Sequence, residues 1–267
     1  MIKLGIFDSG VGGLTVYKEV SQALPGADIH YFGDTARVPY GTKSAETVTR
    51  YSVQISRYLC ERGVDAVVVA CNTASAYAID LLSSVMPIPV FGVVAPGAAA
   101  AVRSTSNGII GVIGTRGTVA SGAYQRAITE LDPDIKVLAA PCPLFVPLVE
   151  EGWLLDPITR EVAIRYLKPL IEKGVDTLVL GCTHYPMLKE VISIVMGTEI
   201  TLIDSAEETA ITLKNFLDDN GFVDETGSGT DLFEVTDLPE RFLDVGQVFL
   251  DRKLENVQQV TILERDE

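Results

Sequence analysis

The chain has 267 residues, 47% of them apolar, and a formal net charge of −15. That length and apolar content supply a sizeable core, in one large domain or two of ordinary size. The charge disfavours attraction to nucleic-acid phosphates or anionic lipid, and no apolar run approaches a membrane span, so an anionic ligand has to be held by local groups.

The chain opens on an apolar run, residues 2–7, rather than on a signal peptide, which predicts a cytoplasmic protein whose four cysteines stay reduced. Short apolar runs then alternate with stretches of helical period, the pattern of parallel sheets covered by helices on both faces. The first half predicts strands over 28–32, 66–70 and 88–93 after the opening one, with a helix over 51–61. A second series starts with a helix over 95–103 and continues with strands over 108–113, 135–140, 177–180 and 199–203 and a helix over 161–172. Next come a helix over 207–218, a polar loop over 224–229, and a final strand, helix and strand. Two doubly wound α/β domains follow from this count. The best break is Ala95-Pro96-Gly97. Symmetry returns the tail to the first domain, giving 1–95 plus 207–267 as one domain and 96–206 as an inserted second.

The halves also repeat. Arg62-Gly63-Val64-Asp65 leads into an apolar strand and Cys71-Asn72-Thr73, as Lys173-Gly174-Val175-Asp176 leads into a strand and Cys182-Thr183-His184. Both landmarks are separated by 111 residues (182 − 71 and 173 − 62). That period is too long for a solenoid and suits two similar domains related by pseudo-two-fold symmetry.

In open parallel sheets ligands bind beyond the carboxyl ends of the strands. Four segments fall there: Asp8-Ser9-Gly10-Val11-Gly12-Gly13, Pro39-Tyr40-Gly41 and the two cysteine loops. The glycine-rich loop lacks the lysine of a P-loop, and Asp8 would repel phosphate, so the glycines serve close backbone approach to a smaller ligand. Neither cysteine loop forms a C-x-x-C pair, which argues against metal and against a redox disulfide. Cys71 and Cys182 are then either buried small residues or two thiols facing one ligand from opposite sides. Cys60 and Cys142 read as buried apolar residues and His30 as structural. His184 lies two residues beyond Cys182 and can reach that thiol. Glu150 and Glu151 are further acids at a helix end.

These segments resemble the aspartate/glutamate racemase family, and its glutamate racemases in particular. The resemblance rests on Gly5 to Gly13, Asp34 to Gly41, Ala70-Cys71-Asn72-Thr73-Ala74, Val146-Pro147-Leu148-Val149-Glu150 and Gly181-Cys182-Thr183-His184-Tyr185-Pro186. It implies two flavodoxin-like domains with the active site in the cleft between them, no cofactor and no metal, glutamate as substrate, and a homodimer. It also implies a role in supplying D-glutamate for peptidoglycan precursors. By the same resemblance Cys71 and Cys182 are the acid–base pair, Cys71 acting on D-glutamate and Cys182 on L-glutamate. Asp8 is the partner of Cys71, and Glu150, chosen over Glu151 by motif position, joins His184 as a partner of Cys182. Substrate contacts fall on Asp8, Ser9, Tyr40, Gly41, Asn72, Thr73, Thr183 and His184, with Thr118 in the loop after the second domain's first strand.

Two thiols suit this chemistry, because racemisation removes a proton from one face of the α-carbon and delivers one to the other. A free thiol has a pKa of about 8.5, so modest local shifts set which form it takes near neutral pH. No lysine motif for a pyridoxal Schiff base is present to act as an electron sink, which leaves fixed dipoles and proton donors to stabilise the carbanion. The rival readings are a racemase of aspartate or another amino acid and a non-catalytic two-domain amino-acid-binding protein. His184 stands against the first, since aspartate racemases carry glutamate there.

Overall fold

The computed structural model describes residues 2–221, 229–254 and 256–262. The polar loop expected over 224–229 lies outside them except for Gly229. The first sheet begins with β1 (Lys3–Asp8), β2 (Asp28–Gly33), β3 (Ala66–Val69) and β4 (Val90–Gly92), joined by helices α1 (Leu14–Ala23), α2 (Ala45–Glu61) and α3 (Asn72–Val85). After α4 (Val94–Ser104) a second sheet is built from β5 (Ile109–Gly114), β6 (Lys136–Pro141), β7 (Thr177–Gly181) and β8 (Thr201–Asp204). Its helices are α5 (Arg116–Ser121), α6 (Ala123–Leu131), α7 (Phe145–Glu150), α8 (Pro157–Ile171) and α9 (Lys189–Met196). The chain then runs through α10 (Ser205–Asp219), β9 (Asp231–Val235), α11 (Pro239–Leu250) and β10 (Val257–Gln259).

Every recorded strand pair is parallel. The orders are β10-β9-β2-β1-β3-β4 and β6-β5-β7-β8. Within each half the order is therefore second, first, third, fourth, so the two doubly wound units share one topology. Strand β9 pairs with β2, bringing the last strands of the chain to the first sheet. Both cysteine loops leave the third strand of their unit. That strand is central and covered on both faces, which is why Ala66–Val69 and Thr177–Gly181 are apolar along almost their whole length and fully buried.

Two expected boundaries move for local reasons. Strand β4 is shorter than the predicted 88–93 because Pro87 and Pro89 cannot donate to a ladder; the Pro89 carbonyl instead accepts from the Val67 N–H at 2.9 Å. Helix α2 starts six residues before the predicted 51, where the Ser44 side chain caps the Thr47 N–H at 3.2 Å. Its buried stripe is Val48, Ser52, Ile55, Ser56 and Leu59, and the two serines mask its apolar period. Ser52 satisfies its hydroxyl on the Val48 carbonyl at 2.8 Å. Helix α10 packs against both α1 and α4, so one apolar core joins Leu14 and Tyr17 of the first unit to Leu178 and Leu213 beyond it.

Candidate active site

The carboxyl ends of β1, β2, β3, β5 and β7 open onto one small cleft. Ser9, Tyr40, Gly41, Cys71, Asn72 and Thr73 line it from one side, and Thr115, Glu150, Cys182, Thr183 and His184 from the other. Both thiols thus border the same small space. A larger, open groove over α8, lined by Leu144, Ile158 and Tyr166, holds neither.

Cys71 occupies the N-cap position of α3 and is 6% exposed. Its Sγ lies 3.9 Å from Ser9 Oγ. Burial pushes this thiol up to about 12; the charge of Asp8 adds to that, and the N–H groups of Ala74 and Thr73 oppose it. Burial also pushes the Cys182 thiol up, against the His184 N–H and with the negative charges of Cys71, Asp8 and Glu150. Each sulfur therefore resists ionisation while the other is a thiolate.

Asp8 ends β1 and is fully buried. Its Oδ2 accepts from the Gly10 N–H at 3.0 Å, while Oδ1 has no hydrogen-bond partner. Burial raises its pKa above the ordinary carboxylate value, against the charge of His184 and the N–H groups of Gly10, Gly13 and Ser9. The side chain does not cap α1, whose N-cap is Gly13 without a side-chain hydrogen bond.

The second thiol has a longer line of partners. His184 Nδ1 lies 4.0 Å from Cys182 Sγ, and Nε2 is 3.0 Å from Glu150 Oε1. The other carboxylate oxygen of Glu150 faces Arg241 Nη2 at 3.8 Å. Burial pushes Glu150 up, but the hydrogen bond and charge of His184, with Arg241, outweigh it and leave the carboxyl below its usual range. Glu151, one residue on, is exposed at the end of α7. Helix α7 thus aims Glu150, and not its neighbour, into the cleft.

Neutral donors fill the remaining wall. Thr73 Oγ1 meets Thr115 Oγ1 at 2.8 Å and Thr118 Oγ1 at 3.1 Å, tying α3 to the N-terminus of α5. Thr118 sits inside that short helix rather than in a loop, and it is Thr115, the N-cap residue, that lines the cleft. Sequence reasoning passed over Thr115, although it lies beyond the carboxyl end of the second unit's first strand, just as Ser9 does in the first. Tyr40 is buried with its hydroxyl on Asp34, and Asp34 is held by Arg37 Nε at 2.8 and 2.9 Å. Thr15 Oγ1 donates to the Thr183 carbonyl at 3.0 Å, clasping α1 to the second cysteine loop. Of the other expected structural residues, Cys142 is buried, Cys60 half-buried, and His30 pairs with Glu234 at 2.6 Å away from the cleft. Among the described residues no three His, Cys, Asp or Glu side chains converge as a metal site requires. No described helix is long and apolar enough to cross a membrane.

Residues 4–212 match the profile of the Asp/Glu/hydantoin racemase family. The glutamate racemase of Geobacter metallireducens is 53% identical over 260 residues, covering 97% of this chain and 96% of that one. Among solved structures, a glutamate racemase isoform of Bacillus anthracis superposes with a TM-score of 0.94 at 39% identity, covering 98% of each chain. The glutamate racemase of Francisella tularensis, solved in complex with D-glutamate, gives 0.92 at 38% identity over 98% of each chain.

Proposed function

Because the chain belongs to the Asp/Glu/hydantoin racemase family, and within it to the glutamate racemases, we propose that Cys71 and Cys182 interconvert L- and D-glutamate by paired proton transfer without a cofactor. The observation that carries this reading is the convergence of both thiols on one small cleft, with His184 beside Cys182 and the charge of Asp8 acting on Cys71. Buried as they are, both sulfurs prefer the neutral thiol near neutral pH. The ammonium group of an amino-acid substrate adds positive charge beside the two sulfurs and favours one thiolate. Asp8, with a free oxygen and a raised pKa, accepts the proton of Cys71. His184, backed by Glu150, does the same for Cys182.

In one direction the Cys182 thiolate takes the α-proton of L-glutamate and the Cys71 thiol protonates the opposite face. In the other direction the roles reverse. The carbanion is stabilised by fixed dipoles, namely the N–H groups at the start of α3 and the hydroxyls of Thr73, Thr115 and Thr183, rather than by a cofactor. Such neutral donors, with Ser9, Asn72 and the backbone N–H groups of Tyr40 and Gly41, hold two carboxylates in a protein of net charge −15. We further infer a division into 1–95 plus 207–267 and 96–206, a homodimer, a cytoplasmic location, and a role in supplying D-glutamate to peptidoglycan precursors.

The reading is tested by circular-dichroism assays of the purified protein on L-glutamate and L-aspartate in competition. Glutamate is expected to be turned over at least about 100-fold more efficiently, because the shorter substrate leaves the donors for its distal carboxylate unpaired. Equal turnover of aspartate would sink the substrate assignment.

A further inference from the structure

Among the described residues that line the cleft, Asn72 carries a buried polar atom without a hydrogen-bond partner. Asn72 stands at the start of α3, and the unpartnered atom is its Nδ2. Its Oδ1 accepts from the Tyr124 hydroxyl at 2.7 Å. Tyr124 comes from α6 in the other half of the molecule and is 1% exposed. Its ring is pressed against β7, where a Cβ on Gly181 would lie 3.1 Å from Tyr124 Cε2. The one phenolic proton therefore goes to Asn72 Oδ1.

A carboxamide is nearly symmetric in shape but opposite in polarity at its two ends. If free to turn, it presents oxygen or nitrogen to the cleft. We propose that Tyr124 is a positioning residue that fixes this choice, holding Asn72 with Nδ2 as a donor to a substrate carboxylate. The inference rests on the reading of the cleft as the glutamate site and adds to it the group that orients Asn72. Because Tyr124 and Asn72 belong to different halves of the molecule, the donor is set only when the two are docked together. The unpaired Nδ2 gains its bond when an anionic oxygen arrives, so part of the affinity for an acidic substrate is prepared in advance.

The test is a double-mutant cycle of Tyr124→Phe and Asn72→Ala, with kcat and KM measured in both directions and thermal unfolding recorded for each protein. Tyr124→Phe keeps the ring and removes only the hydroxyl. It is expected to lower kcat/KM about tenfold, chiefly through a higher KM, the scale of one hydrogen bond to a charged group. The fall is equal in both directions, as the unit equilibrium constant between enantiomers requires. Asn72→Ala falls at least as far, and adding Tyr124→Phe to it costs nothing more. Asn72→Asp, which still accepts from Tyr124 but presents oxygen to the cleft, loses as much as Asn72→Ala. A wild-type KM in Tyr124→Phe, or the same loss from Tyr124→Phe in the Asn72→Ala background, would overturn the positioning role while leaving the glutamate site intact. A wild-type KM in Asn72→Asp would overturn it through the polarity of the donor. Wild-type kinetics in Asn72→Ala would remove Asn72 from the substrate site and the proposal with it, whereas absence of glutamate turnover in the unmodified protein would instead defeat the functional reading beneath.

Discussion

Cys71→Ala and Cys182→Ala are each expected to lower racemisation by about 10⁴-fold or more, with the fold retained. General acid–base groups typically contribute 10²–10⁴-fold, and inversion needs both faces served, so the loss lies at the upper end of that range. Both side chains are small and buried, and their removal leaves a space of about one atom at the cleft wall rather than a large core cavity. The two variants differ in what survives. Cys71→Ala keeps the thiol assigned to L-glutamate and can still exchange its α-hydrogen with solvent without inverting it. Cys182→Ala keeps the corresponding exchange for D-glutamate. Chiral analysis combined with mass spectrometry separates exchange from inversion. Undiminished racemisation in either variant would contradict the two-thiol assignment.

Gly12→Ala is expected to lower kcat/KM by about 10²–10³-fold, although the substituted residue is neither thiol nor acid. A Cβ at position 12 would come within 2.4 Å of His184 Nδ1 and Cε1 and of Thr183 Oγ1. His184 has no free direction in which to yield. Its Nε2 is committed to Glu150, and its ring packs edge-on to Phe249 with centroids 5.5 Å apart. The glycine-rich loop therefore lets the first half of the molecule approach the second at the point where His184 must reach Cys182. The added methyl group pushes the imidazole out of line with the sulfur, and displacements of about 1 Å in such groups cost about 10²-fold. Steady-state kinetics together with a melting curve check this. A variant with wild-type kcat/KM would show that the loop and the histidine are not held so closely.

The parts of this site legible in the sequence are those expressed locally along the chain. The cysteine loops stand at the ends of buried β-branched or leucine-rich strands and recur at one spacing, so period and position together expose them. Glu150 and His184 were legible as motif residues; in the fold His184 lies 4.0 Å from Cys182 Sγ and 3.0 Å from Glu150 Oε1. What stayed hidden depends on contacts between distant segments. Tyr124 reads as one more apolar residue of α6, because its role follows from the meeting of its hydroxyl with Asn72, fifty-two residues earlier. Thr115 is an ordinary helix cap until Thr73 is seen beside it. Asp34, read only as part of a motif, is a buried anchor for Tyr40 and for Thr236, which stands 202 positions later in the chain with its Oγ1 3.1 Å away. In the fold, the start of α2 was obscured by buried serines and β4 was shortened by two prolines. Both are local effects that an apolar period does not register.

In the proposed reaction the α-proton leaves to one buried sulfur and a different proton arrives from the other. This is tested most directly by running the conversion of L-glutamate in D₂O and examining the first D-glutamate formed by mass spectrometry. The two-thiol account predicts that the inverted product carries solvent deuterium at the α-carbon from the earliest turnovers. Inverted product that retains the original α-hydrogen would contradict it.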